Sequence, residues 1–295
     1  MNLSITQQPI NGILGGPKHK DFAVSVNNIA FNISIDQQCQ RELSISSSAG
    51  KYEDMISIYY SLVTLLMLFD GHFYPVVKAQ DGTDITESWN KRALPSYSSA
   101  DFMLDLGNKL IEFDAVLDAQ LFQNWCVLKK ELDLVHNMIL YCLSSVEMPK
   151  DMQVAFMTEA FKGVCELIHV RNPNFALPLN SKDKLELKPA FLAVADKYGF
   201  DIFKEELSQN KDGFVQVLVN SRNRIAHIKS LQNERVLDGD ESVMYLMKLS
   251  LLYRIVLFDL LGISKRVYGV ALSSRVQTIN NHKTMKTFLN SLGQC

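Results

Sequence analysis

The stretch Phe214-Val215-Gln216-Val217-Leu218-Val219-Asn220-Ser221-Arg222-Asn223-Arg224-Ile225-Ala226-His227 decides how the chain is read. Phe214, Val217, Leu218, Ile225 and Ile228 recur at helical spacing, so the segment is expected to be a helix that packs one apolar stripe on other helices. Arg222, Asn223 and His227 lie off that stripe. Asn223 and His227 are four positions apart and share a face, whereas Arg222 and His227 are five apart and diverge by roughly 140° on a regular helix. A straight helix is therefore expected to keep this arginine and this histidine from a common phosphate. They meet only if the helix is distorted or if two copies of the segment face each other.

Working outward, the chain reads as helical from about residue 100, with runs at 101–118, 120–144, 150–170, 184–198, 211–229 and 240–261. Pro149 and Pro173-Asn174 bracket one of these, and Gly199, Gly213 and Gly239 sit near other junctions. A long apolar helix, Val243 to Leu261, ends in Leu261-Gly262-Ile263. Toward the amino terminus the period changes: Phe22-Ala23-Val24-Ser25-Val26 and Ile29-Ala30-Phe31-Asn32-Ile33-Ser34-Ile35 read as strands, with Asn27-Asn28 as the hairpin turn. Met55, Tyr59, Leu62, Leu66 and Phe69 then share a helical face that Gly71 closes, and 72–99 mixes turns with short strands. The fold class is mainly α: a helical domain over 101–295 with a basic tail, after a small β-rich or α+β domain over 1–100. The seam falls between 95 and 115.

With 47% hydrophobic and 21% charged residues the chain is globular rather than disordered, and a net charge of −2 supplies no global field for nucleic acid. Positive charge is local. From Leu260 onward there is no Asp or Glu, while Lys265, Arg266, Arg275, Lys283 and Lys286 are cationic; this is either a solvated end or a phosphate-tracking surface. Met1-Asn2-Leu3-Ser4 has no secretory character, and the apolar run Ile56 to Phe69 is shorter than the roughly 20 residues a bilayer requires. A cytoplasmic protein with no membrane partner is expected. Cys39, Cys126, Cys142, Cys165 and Cys295 form no C-x-x-C pair, and no set of His, Asp and Glu has metal-ligand spacing, so neither metal nor cofactor is expected.

Other motifs weigh less. His169-Val170-Arg171-Asn172-Pro173 reads as a helix terminus, His136 as an interior histidine, and Gly12-Ile13-Leu14-Gly15-Gly16 as a loop without the Gly-Lys-Ser/Thr of a P-loop. Glu205-Glu206 and Asp238-Gly239-Asp240-Glu241 read as solvated loops or helix starts.

Arg222-Asn223-Arg224-Ile225-Ala226-His227 resembles the Arg-polar-x-x-x-His signature of HEPN domains, and the resemblance extends over about residues 110–265. Those domains are helical bundles, many of them ribonucleases, that usually dimerise so that two motifs line one cleft. A β-containing part followed by such a domain is most similar to the ApeA-type abortive-infection proteins of bacteria. The resemblance implies a metal-independent endoribonuclease, acting as a toxin or abortive-infection effector in antiviral defence. Its implied partners are RNA, a second copy of the chain, and an antitoxin or sensor protein. RNA carries its own nucleophile in the 2′-hydroxyl, so His227 would act as general acid/base, Arg222 would stabilise the transition state, and Asn223 would orient His227 or the phosphate. Arg224 and Lys229 would be auxiliary phosphate contacts. Some HEPN proteins are neutralised by modification of a tyrosine two residues past the motif histidine; here Lys229 stands in its place. The rival reading is a non-catalytic HEPN module that binds nucleotide, RNA or protein.

Overall fold

The computed structural model describes residues 1–8, 17–71, 73–90, 109–143, 148–228 and 234–292. The chain divides into two compact units, Met1–Lys130 with Ser144–Val146, and Glu131–Leu143 with Glu147–Cys295. The expected seam lies mostly on residues outside those described, as do the Gly12–Gly16 loop, Lys229 and Cys295.

The first unit is built on five antiparallel strands, β1 (Asn2–Gln7), β2 (Lys18–Val26), β3 (Ile29–Gln37), β4 (Arg41–Ser46) and β5 (Val76–Gln80), in the order β2-β3-β4-β1-β5. The hairpin expected at Asn27-Asn28 is present: Val26 pairs with Ile29, and the two asparagines take φ of 51° and 63°. A two-residue turn that follows the strand twist needs positive φ at both positions, which asparagine tolerates. Strand alternation sends Leu3, Ile5, Phe31, Ile33, Ile35, Leu43 and Ile45 to one face, where none is more than 2% exposed. Helix α1 (Tyr52–Asp70) lies against β4 and ends at Gly71, whose φ of 85° places it in the left-handed region. At 19 residues α1 is longer than the apolar run suggested, and by length and composition it could cross a bilayer. Its polar ends join the helix because Tyr52 to Asp54 make its first turn; 67% of its most apolar window is buried inside the fold. Short helices α2 (Thr86–Asn90) and α3 (Phe113–Val116) follow. The helical run expected at 101–118 is thus reduced, among the described residues, to one turn, since Leu117 leaves α3 with an extended ψ of 121°.

The second unit is helical. It takes the end of α4 (Ala119–Leu143), which is broken at Asp133, and contains α5 (Lys150–Arg171), α6 (Leu187–Tyr198), α7 (Phe200–His227), α8 (Gly239–Leu260), α9 (Lys265–Asn280) and α10 (Lys283–Leu292). Helix α5 packs on α6, α7 and α8, and Phe161, Phe191, Phe203, Phe214 and Tyr245 form a ring-on-ring core with no exposed surface. Within this core Lys248 Nζ lies 2.5 Å from Glu206 Oε1, which also accepts from the Tyr245 hydroxyl at 3.0 Å. Glu206 is therefore not a solvated helix residue: the turn of α7 that carries it also carries Ile202 and Phe203, and both of these are fully buried. Burial pushes Lys248 below the ordinary lysine range, against the pull of Glu206.

The basic tail is also corrected. Residues 265–292 form α9 and α10, which bury Tyr268, Leu272, Val276, Met285, Phe288 and Leu289. Arg275 is 6% exposed and donates to Met247 Sδ, so this cation is committed to the fold, while Lys265 pairs with Asp201 at the surface. His136 is interior as expected, its Nδ1 2.6 Å from the Tyr253 hydroxyl, and α5 ends at Arg171.

Candidate functional site

Helix α7 presents the motif after a break. Asn210, with φ −158° and ψ 83°, leaves the helical region, and its Oδ1 accepts the Gly213 N–H at 2.8 Å, so it caps a second helical segment. A side chain at Gly213 would crowd this cap, because a Cβ would lie 2.6 Å from the Asn210 amide nitrogen. The capped segment agrees with the run expected from 211, and Phe214, Val217 and Leu218 are buried on it. Ile228 does not join that stripe. It is 94% exposed and turns into the left-handed region at φ 49°, which ends the helix directly after His227.

The sequence placed Arg222 and His227 on divergent faces. In the structure Arg222 Nη1 lies 3.4 Å from His227 Nε2 and donates to Asn223 Oδ1 at 2.9 Å. The helix keeps regular angles there, its only irregular residues being Phe203 and Asn210. The error lay in treating a phase angle as a side-chain position: the long arginine side chain reaches along the helix, so its tip meets a ring one turn away. The expectation that one helix cannot bring the two groups together is overturned. All three motif residues thus converge on a single patch. His227 and Arg224 are exposed, while Arg222 and Asn223 are half-buried.

Two further residues shape this patch, and the sequence reading singled out neither. Glu159 of α5 places Oε2 2.8 Å from Arg222 Nε, with the two side chains 31% and 23% exposed. It occupies the Nε side of the guanidinium and leaves the Nη end turned toward His227. Ser221, next to the motif arginine, is buried; its hydroxyl donates to Val217 O at 2.7 Å and accepts the Leu237 N–H at 2.9 Å, tying the chain before α8 to the motif segment. Helix α8 starts on Asp238 with a capping box to Glu241, as its acidic cluster suggested. A half-buried guanidinium beside an exposed imidazole brings a fixed positive charge and a proton-exchanging ring to one phosphate-sized patch.

Residues 157–267 match the family model described as Apea-like HEPN. That matched stretch lies in the second unit, and both Glu159 and the Arg222–His227 motif fall inside it. No curated protein and no solved structure matches the chain.

Proposed function

We propose that the protein is an endoribonuclease that cleaves RNA by attack of the 2′-hydroxyl, with Arg222, Asn223 and His227 as its site. The single observation that carries this reading is the convergence of the Arg222 guanidinium and the His227 ring, 3.4 Å apart, on one exposed helix end. His227 takes the proton of the 2′-hydroxyl as its oxygen bonds to phosphorus, water protonates the 5′-oxygen as its bond to phosphorus breaks, Arg222 holds the charged phosphorane, and Asn223, bonded to Arg222, fixes the pair. Glu159 is a positioning residue whose charge holds the Nε side of the guanidinium. Arg224, exposed one position past Asn223, is an auxiliary phosphate contact; Lys229, the second auxiliary, lies outside the described residues. No step requires a metal or cofactor, since nucleophile, base and charge stabiliser are all accounted for.

The same reading extends to an abortive-infection effector that works as a homodimer, under the control of an antitoxin or sensor partner. The earlier reason for dimerisation is gone, because one helix already unites Arg222 and His227. The homodimer then rests on the likeness to HEPN domains, and Ile228, 94% exposed immediately beside His227, is the position at which to test it. The test is incubation of purified protein with cellular RNA, alongside Arg222→Ala and His227→Ala. Cleavage by the parent and its loss in both folded variants supports the proposal; RNA binding without cleavage by the parent would favour a non-catalytic module.

A further inference from the structure

A cavity of about 200 Å³ opens in the helical unit between the motif segment of α7 and helix α10. Val217 and Phe288 form its apolar side, and Gln216, Asn220, Arg235 and Ser291 its polar side. The amides are pre-arranged in a chain: Gln216 Nε2 donates to Asn220 Oδ1 at 2.8 Å, and Asn220 Nδ2 to Arg235 O at 3.4 Å. Each amide nitrogen carries a second N–H and each oxygen a second lone pair, so both keep capacity toward a ligand. The Arg235 guanidinium lies 5.4 Å from the Phe288 ring centre and pairs with Glu241, which fixes the wall they form.

The dimensions and chemistry narrow the ligand. The cavity is smaller than the roughly 300 Å³ at which drug-sized ligands begin, so it takes a single ring system rather than a whole nucleotide. Among the described residues no carboxylate lines it, so these residues do not repel an approaching phosphate chain. Amide side chains present a donor and an acceptor together, the pattern that reads the edge of a base, and Val217 and Leu292 give its flat body apolar walls. Helical phase supplies the last constraint. Gln216, Asn220, Asn223 and His227 succeed one another at spacings of four, three and four, so the cavity and the motif histidine occupy one face of the helix. Asn220 precedes His227 by roughly 10 Å along the axis, room for a neighbouring nucleotide rather than the scissile one.

We propose that this cavity is a base-selecting subsite that takes one unpaired RNA base flanking the cut. The proposal rests on the ribonuclease reading above, and its test separates the two. Parent protein, Gln216→Ala and the cavity-filling Ser291→Phe are given a pool of randomised RNA and the cut sites are sequenced, with thermal melts to establish that each variant is folded. In parallel, the affinities of His227→Ala and of His227→Ala/Gln216→Ala for the four homopolymeric ribo-oligonucleotides are measured. The parent should show a preference on the order of tenfold at one fixed position beside the cut, which both variants flatten while still cutting the pool. The homopolymer ranking of His227→Ala should collapse when Gln216→Ala is added. A parent that cuts with no fixed-position preference, or folded variants with an unchanged profile, would overturn the subsite. A parent that cuts nothing, with a homopolymer ranking that depends on Gln216, would overturn the ribonuclease reading and leave the subsite standing.

Discussion

Replacing Glu159 with alanine separates the positioning of Arg222 from the stability of the fold. The pair is 2.8 Å apart but its side chains are 31% and 23% exposed, so solvent screens it and its loss should cost no more than about 1 kcal/mol. For a domain of this size that lowers the melting temperature by only about 2–4 °C. Catalysis should respond far more. Without the carboxylate at Nε the guanidinium is free to swing, and a reacting group misplaced by about 1 Å can cost about a hundredfold in rate. Glu159→Gln keeps a polar group of the same size beside Nε but removes its charge, and should fall between the two. The assay is single-turnover cleavage of an end-labelled RNA, with melting curves and RNA affinity measured on the same preparations. The rate constant should drop at least tenfold in Glu159→Ala, with affinity nearly unchanged. A rate within about threefold of the parent would refute the argument that the orientation of Arg222 depends on this contact. A melting point lowered by much more than about 4 °C would make Glu159 a structural residue instead.

Three other outcomes follow from the structure. Lys248→Met strands the fully buried Glu206 carboxylate and should destabilise the helical unit by about 3–5 kcal/mol in urea unfolding, most of which the added change Glu206→Gln should restore; a neutral single variant would contradict the buried pair. Burial raises the Tyr245 and Tyr253 hydroxyls well above the ordinary phenol value of 10.0, with Glu206 adding to it at Tyr245. The folded values then exceed the unfolded ones, so this stabilisation is complete below about pH 10 and is lost as pH rises further; tyrosinate absorbance should show these two rings ionising only with the collapse of near-ultraviolet circular dichroism, and early ionisation in an intact fold would count against it. If the exposed Ile228 docks against a second copy, Ile228→Asp should yield monomers by light scattering with reduced specific activity, whereas an equally active parent monomer at high dilution would exclude the dimer.

The site was legible in the sequence where it depended on residue type along one helix. Arg222, Asn223 and His227 stood off an apolar stripe, and Asn27-Asn28 between alternating runs announced a hairpin. Strands β1 and β4 were missed because each is short and offers only two alternating apolar residues, Leu3 and Ile5 or Leu43 and Ile45; their identity as strands comes from pairing with each other. Glu159 was invisible for a similar reason. Its role arises from the packing of α5 on α7, and no local pattern marks a contact across 63 positions. Glu206 read as a solvated charge because nothing local shows the core closing around it and Lys248. The approach of Arg222 to His227 was misjudged because backbone phase was used where side-chain reach decides. The last two helices were taken for a tail because their scattered cations drew more notice than their spaced apolar residues, Tyr268, Leu272, Val276 and Ile279.

The reaction turns on which atom attacks the phosphate. If the 2′-hydroxyl is the nucleophile, with His227 moving its proton and Arg222 holding the phosphorane, the upstream fragment carries a 2′,3′-cyclic phosphate and the downstream fragment a 5′-hydroxyl. The measurement is cleavage of an end-labelled RNA and of the same RNA with a single 2′-deoxyribose at the mapped cut, each with and without chelator, followed by kinase labelling of the new 5′ ends. The account predicts that the deoxy substrate resists at that position, that chelator has no effect, and that the new ends accept phosphate. Cleavage of the deoxy substrate, inhibition by chelator, or new ends that already carry a 5′-phosphate would contradict it.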